Sequence, residues 1–218
     1  TEDLIAGKTV VVAGFGYCGR GFALRAHGMG ANIIVTEVDS VKAIEAHLFG
    51  YRVMKMDDAA SIGDIFVTAT GDCNVIRGRH FEKMKNGAVV ANTGHFDIEI
   101  NVPELEALAK SEREIKPEVD EFTLANGNKV YLLARGRLVN LSCGVGHPSE
   151  VMDMSFANQA LVTEWLKSHA KELENRVYDV PKEIDDSVAA LKLEGMGLQI
   201  DELTAEQKEY LSSWQHGT

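Results

Sequence analysis

The stretch VVVAGFGYCGRGFA, Val10–Ala23, places glycines at 14, 16, 19 and 21 directly after three valines. A buried strand running into G-x-G-x-x-G and then a helix is the pattern that cradles a dinucleotide pyrophosphate. Gly14 permits the tight turn, Gly16 lets phosphates approach the main chain, and Gly19 lets helix and strand pack closely. The first turn of the helix offers free N–H groups and a partial positive charge. Gly21 extends the close packing. Glu37, in IIVTEVDS, stands about twenty residues beyond the turn, where an acid accepts hydrogen bonds from a ribose diol. The same charge repels a 2′-phosphate, so the pair reads as a site for NAD rather than NADP. The plain alternative makes the glycines an ordinary turn and Glu37 a solvated strand end.

Further polar residues fall where later strands should end. VTATGD places Thr68, Thr70 and Gly71 there, and VVANTGHFD places Asn92, Thr93, Gly94 and His95 there. Ligands of open α/β sheets bind in the crevice beyond the carboxyl ends of the strands. His95 is then a candidate for site contact, against the alternative of a packed or solvated histidine. His147, in GVGHPSE, is a weaker candidate of the same kind. Asn140, in LVNLS, is costly to bury unpaired, so a core hydrogen bond or a ligand amide must satisfy it.

The elements that must position these residues alternate through the first half. Strands are expected at Lys8–Ala13, Ile33–Thr36, Tyr51–Met54, Ile65–Thr68 and Ala88–Asn92. Helical segments are expected at Tyr17–Met29, Ser40–Phe49, Asp57–Ile62 and Arg79–Lys85. The strands are β-branched runs without polar alternation, as when both faces of a parallel sheet are covered. The fold class is therefore α/β, a Rossmann-type doubly wound parallel sheet. Beyond it come a helix at Pro103–Lys110, an extended piece at Glu114–Val119, and a hairpin of Phe122–Leu124 and Lys129–Ala134 around Asn126-Gly127. Val139–Cys143 is expected as a last strand. Helices then follow at Glu150–Lys167, Lys182–Leu193 and Ala205–Trp214, the last opened by a Thr204/Gln207 capping box. Residues 1–148 form the dinucleotide domain on this reading, and 149–218 a helical C-terminal appendage.

The net charge of −11 opposes nucleic acid as a partner. No run approaches eighteen apolar residues, so no membrane span is implied, and the acidic Thr1-Glu2-Asp3 does not open a signal peptide. Cys18, Cys73 and Cys143 are too few and too scattered for a disulfide or zinc framework. They suit a reducing, cytoplasmic setting and are expected as small packed residues. No metal is called for.

Six stretches together resemble S-adenosylhomocysteine hydrolase: LIAGKTVVVAGFGYCGRGFA, VTEVD, DIFVTATG, GHFDIEI, IKPEVD and RLVNLSCGVGHPSEVMDMSFANQ. They cover most of Leu4–Gln159, and residues 170–218 match more loosely. The resemblance implies a tightly held NAD used inside a hydrolysis. The ribose 3′-hydroxyl is oxidised to a ketone, which acidifies the 4′ proton. Homocysteine is then eliminated, water adds, and the hydride returns, giving adenosine and homocysteine. It also implies a small-molecule substrate and a homo-oligomer, a tetramer in the family. By this resemblance Gly16, Tyr17, Cys18, Gly19, Arg20 and Gly21 form the pyrophosphate loop, and Glu37 holds the adenosine ribose. Thr93, Gly94 and His95 border the cofactor, with His95 also near substrate and a tentative catalytic residue. Asn140 partners the nicotinamide amide, and His147 lies on the substrate side.

Phe15 stands where tyrosine is usual in the family's glycine turn, and Lys42 where many members have asparagine. The closing SSWQHGT does not match the lysine- and tyrosine-bearing tail of many members. The family's N-terminal substrate domain has no counterpart in the chain, which is thus expected to be inactive until that domain is supplied. The helix Glu150–Lys167 should then expose Val151, Met154, Phe156 and Leu161. Two other readings stay open: an NAD-dependent 2-hydroxy-acid-type dehydrogenase, and a non-catalytic NAD-binding module.

Overall fold

The computed structural model describes residues 1–213. Two compact units divide the chain, residues 1–146 and 147 onward. The first is built on an eight-stranded sheet among the described residues. Its strands are β1 (Thr9–Ala13), β2 (Asn32–Thr36), β3 (Arg52–Val53), β4 (Ile65–Thr68), β5 (Ala88–Asn92), β6 (Ala109–Lys116), β7 (Val119–Leu124) and β8 (Lys129–Leu133). They lie in the order β3-β2-β1-β4-β5-β8-β7-β6. From β3 through β8 the pairs are parallel, and β7 and β6 add an antiparallel edge.

The helices of this unit are α1 (Tyr17–Gly28), α2 (Ser40–Leu48), α3 (Met56–Ala59), α4 (Gly78–Phe81), α5 (Val102–Leu108) and α6 (Val139–Ser142). Adjacent β1 residues feed opposite faces of the sheet. Val10 and Val12 pack with Phe15, Ala23, Ala26 and Tyr51 on one side. Val11 packs with Ile34, Phe66, Phe81 and Val90 on the other. Burial on both faces is why these strands carry no polar alternation.

The register decides where chemistry can occur. Ala13 lies opposite Thr36 on one side and Thr68 on the other, and Thr68 lies opposite Asn92. Four strands thus end on one line. The chain leaves β1 toward β2 and β3, then crosses back to β4, so the order reverses between β1 and β4. A crevice opens at such a switch point.

Several expectations are corrected. Val139–Cys143 is not a strand but the short helix α6. Both edges of β5 are already taken, by β4 and β8, so only Leu138 reaches it, in a single bridge to Asn92. The chain then turns, with the Cys143 N–H donating to the Val139 carbonyl at 2.8 Å. Glu114–Val119 is not one extended piece: β6 ends at Lys116, and Glu118 turns the chain with φ +62°. The helix expected to reach Lys110 stops at Leu108, because Ala109 and Lys110 already belong to β6. The hairpin around Asn126-Gly127 is present, with Gly127 at φ +88°. All three cysteines are exposed rather than packed. Cys18 lies in the first turn of α1, Cys73 in the loop after β4 and Cys143 just past α6, away from the core.

One buried acid fastens the antiparallel edge. Glu121 on β7 accepts from Arg113 Nε at 2.8 Å, Lys129 Nζ at 3.1 Å and Tyr131 Oη at 3.1 Å. The Arg113 hydrogen bond, against the opposing effect of burial, holds its carboxyl down at about 2, helped by Lys129 and Tyr131. A depressed folded value means that the stabilisation is complete above the ordinary value of 4.5 and fades as pH falls toward about 2. Glu121→Gln is therefore expected to lower Tm at neutral pH and to flatten its fall between pH 4.5 and 2. Thermal melts across that window measure it, and parallel curves for parent and variant would contradict the assignment.

The second unit holds α7 (Ser149–His169), α8 (Lys182–Gly195) and α9 (Ala205–Ser212). Lys192 pairs with Asp153 at 2.7 Å, and Asn158 Nδ2 donates to Asp185 at 2.9 Å, tying α7 to α8. The Thr204/Gln207 capping box opens α9. Trp214, expected to end that helix, lies outside the described residues, as does most of the closing SSWQHGT. Val151, Phe156 and Leu161 are exposed on α7 and Met154 is half-buried.

Candidate functional site

A cleft of about 700 Å³ lies beyond the ends of β1, β2 and β4. The glycine turn forms its floor. Gly14 has φ +91°, and a Cβ there would stand 2.7 Å from the Ala69 carbonyl oxygen, so β1 and β4 approach too closely for a side chain. A Cβ on Gly19 would overlap the Gly14 carbonyl. These two glycines are required by the protein itself. Gly16 and Gly21 are not: a Cβ at either meets nothing within 4 Å. Gly16 also opens α1 without a side-chain cap, and the first turn carries no acid. The N–H groups there are left for an incoming anion.

Glu37 closes the turn from β2. Oε2 accepts from the Phe15 N–H at 2.6 Å, and Oε1 from the N–H groups of Val38 at 2.7 Å and Asp39 at 3.1 Å. Burial pushes its carboxyl up, but these three donors and the nearby Lys42 charge outweigh it and hold Glu37 below the usual carboxylate range. A carboxylate offers about four acceptor positions, so one on Oε2 remains free. Lys42 lines the same cleft. The Phe15 ring faces away, edge-on to Phe49 and Tyr51 at about 6 Å, and anchors the turn in the core.

The other expected site residues divide by what their polar atoms already do. Thr68 is fully buried, and its hydroxyl donates to Asn92 Oδ1 at 3.0 Å rather than facing the cleft. Thr70 lines the cleft, but its hydroxyl donates to Glu99 at 2.6 Å and accepts from the Asp72 N–H at 3.1 Å. Thr93 donates to the Thr68 carbonyl at 2.9 Å, which leaves its oxygen as an acceptor 3.6 Å from Cys18 Sγ. Arg20 pairs with Glu45 at 2.7 Å and lies over the exposed Tyr17 ring. Gly94 is buried, and His95 is exposed with its ring edge-on to Phe96. Asn140 sits half-buried in α6. His147 is exposed at the start of the second unit.

Two residues organise this edge. Asn92 is fully buried; it also accepts from the Gly94 N–H at 2.6 Å and donates to the Phe96 and Gly136 carbonyls at 2.8 and 2.9 Å. It fixes the loop that bears His95. Glu99, missed by sequence reasoning, is 1% exposed and accepts from the Thr70 and Gly71 N–H groups, both at 2.9 Å, besides the Thr70 hydroxyl. Its signal was an acid set between Ile98 and Ile100. Among the described residues no cluster of three or more histidine, cysteine or acidic side chains could hold a metal, and no helix is long and apolar enough to cross a membrane.

Residues 1–146 match the family model described as S-adenosyl-L-homocysteine hydrolase, NAD binding domain. The whole chain is 59% identical to an adenosylhomocysteinase of Aquifex aeolicus, covering 52% of it. It is equally, 59%, identical to an S-inosyl-L-homocysteine hydrolase of Methanocaldococcus jannaschii, again over all of this chain and 52% of the relative. The chain thus spans about half the length of the curated relatives it matches. Among solved structures, dipicolinate synthase A chain from Bacillus subtilis overlaps 49% of this chain and 37% of its own at 17% identity, with a TM-score of 0.46.

Proposed function

The chain belongs to the S-adenosyl-L-homocysteine hydrolase family, and from that premise we propose that it is the NAD-holding part of an enzyme that reversibly hydrolyses S-adenosyl-L-homocysteine to adenosine and L-homocysteine. NAD is the cofactor of this domain. When bound it supplies a hydride acceptor that returns the hydride within the same catalytic cycle. The α1 N-terminus and Gly16–Gly21 hold the diphosphate, with Gly16 leaving the main chain bare for it. Glu37 accepts the diol of the adenosine ribose. Thr93, with its proton spent on Thr68, offers an acceptor to the nicotinamide end. Gly94 and Asn140 border that end, His95 reaches past it toward substrate, and His147 serves the substrate side. The principal substrate contacts belong to the remaining length that the relatives carry.

The observation that carries the reading is Glu37 Oε2 at 2.6 Å from the Phe15 N–H. It joins Glu37 to the glycine turn in one cleft, which supports reading the two as diol acceptor and phosphate turn. A 2-hydroxy-acid dehydrogenase is not favoured, since the relatives at 59% identity are named for hydrolases. The same two relatives, one adenosyl and one inosyl, leave the purine base to be settled by assaying both thioethers with the whole protein. The homo-oligomer, a tetramer by family resemblance, and the cytoplasmic setting belong to the same proposal; three unpaired cysteines support the latter.

Calorimetric titration of NAD into the chain tests the cofactor site directly. Gly16→Ala, whose methyl meets no protein atom, is expected to leave Tm within about 2 °C while weakening NAD by roughly tenfold or more. An equally bound NAD in this variant would remove Gly16 from the phosphate site. Absence of any binding by the folded parent chain would end the reading.

A further inference from the structure

Glu99 is the most deeply buried acid in the first unit, at 1% exposure, and no step of the proposed chemistry uses it. Its position is unusual. The segment 74–76 is zipped to 98–101 by main-chain bonds: Asn74 N–H to the Ile98 carbonyl at 2.8 Å, Val75 N–H to the Glu99 carbonyl at 2.7 Å, and Asn101 N–H to the Ile76 carbonyl at 2.9 Å. From the middle of that zipper the Glu99 side chain reaches back under the β4 loop. There it takes both N–H groups of Thr70 and Gly71 and the Thr70 hydroxyl. Its other flank lies against Gly94, where any Cβ would overlap Oε1.

The first of these loops borders the cleft, and the second carries His95. Ala69, Thr70, Asp72 and Cys73 form the cleft wall, and Gly94 leads directly to His95. The wall is sharply bent, with Gly71 at φ +71° and Asn74 at φ +53°. A bend of that kind persists only where the surroundings over-determine it. Glu99 supplies that determination: three donors converge on its two oxygens, and an amide in its place would have to set an NH₂ against an N–H.

Resting on the functional reading above, we propose that Glu99 is a positioning residue for the dinucleotide. Its carboxylate clamps the wall loop after β4 to the loop that bears Gly94 and His95, and so sets the spacing between the adenosine and nicotinamide ends of the crevice. It touches neither end; it acts through Thr70, Gly71 and Gly94.

The test compares the full chain with Glu99→Gln, Thr70→Val and the double variant. Calorimetry gives the Kd for NAD, emission of bound NADH reports the nicotinamide surroundings, and melts give Tm. Glu99→Gln is expected to weaken NAD about tenfold or more and to shift NADH emission. Thr70→Val, which deletes one of the three hydrogen bonds to Glu99 and the acceptor of the Asp72 N–H, should weaken NAD about threefold. The double variant should bind no worse than Glu99→Gln alone, because both changes act through one contact. A purely structural role lowers Tm and leaves the Kd and emission of the folded protein unchanged; that result overturns the proposal. If Glu99→Gln does not fold, unchanged NAD binding by Thr70→Val overturns it instead. A parent chain that binds no NAD strikes down the functional reading and the clamp together, whereas a binding parent matched by Glu99→Gln strikes down the clamp alone.

Discussion

Glu37→Gln is expected to weaken NAD about 100-fold while weakening NADP far less, so that the preference between them narrows. A charge-assisted hydrogen bond contributes roughly 1.5–3 kcal/mol, and the free position on Oε2 accepts one from the diol. The substitution is isosteric, yet the turn has no place for an amide NH₂. One side of the carboxylate faces the Phe15 N–H, and the other faces those of Val38 and Asp39. Either orientation sets donor against donor, so the turn that delivers Gly14 and Gly16 is disturbed as well. NADP loses the same diol acceptor at the 3′-hydroxyl but is freed from repulsion at its 2′-phosphate. The pH dependence has a definite sign. The folded value of Glu37 lies below 4.5, so its stabilisation is complete above that pH and is lost as pH falls through the lowered value. The variant should therefore start less stable at neutral pH and show a shallower acid limb. Titrations of both dinucleotides at neutral pH, with melts down to pH 3, measure all of this. A Gln variant that holds NAD within about threefold of the parent would take the acid out of the site.

The part of this site that was readable in the sequence is the part made by local rules. Val10–Ala13, the glycine turn and α1 follow from burial on both faces and from the absence of Cβ atoms, and each needs only its neighbours in the chain. Glu37 follows because a short helix and a turn bring β2 beside β1 at a nearly fixed spacing. Thr68 and Thr70 were correctly placed at a strand end, yet where their hydroxyls point depends on Asn92 and Glu99, which lie 24 and 29 residues away. Sequence proximity carries no information about that. The strand expected at Val139–Cys143 failed for a similar reason. The run is apolar enough to pair, but β8, from a hairpin formed earlier in the chain, already occupies the free edge of β5. Cys18 shows the limit of composition: free cysteine is usually buried, but in the first turn of α1 it lies exposed beside Thr93.

Asn92 is the residue through which these non-local demands converge, and Asn92→Asp should be the most damaging isosteric change in the first unit. Its amide oxygen joins Thr68 on β4 to the Gly94 N–H. Its NH₂ feeds the carbonyls of Phe96 and Gly136, and so ties the His95 loop to the turn after β8. An introduced carboxylate keeps the first pair and turns the second into oxygen facing oxygen, with no solvent to relieve it. Breaking a buried polar arrangement in this way costs about 3–5 kcal/mol. For a chain of this size that corresponds to a Tm lower by roughly 10 °C. Burial and the facing carbonyls raise the folded pKa of the new carboxyl above its unfolded value. The deficit relative to the parent is then full at neutral pH and shrinks as pH falls through the raised value, because the protonated acid can donate to one carbonyl again. Asn92→Ala loses both pairs of contacts without gaining a titratable group, so its deficit should stay constant over that range. Parallel melts of parent and both variants between pH 7 and 4 separate the two behaviours, and an Asp variant whose deficit is small or independent of pH would show that the NH₂ contacts do not hold the His95 loop in place.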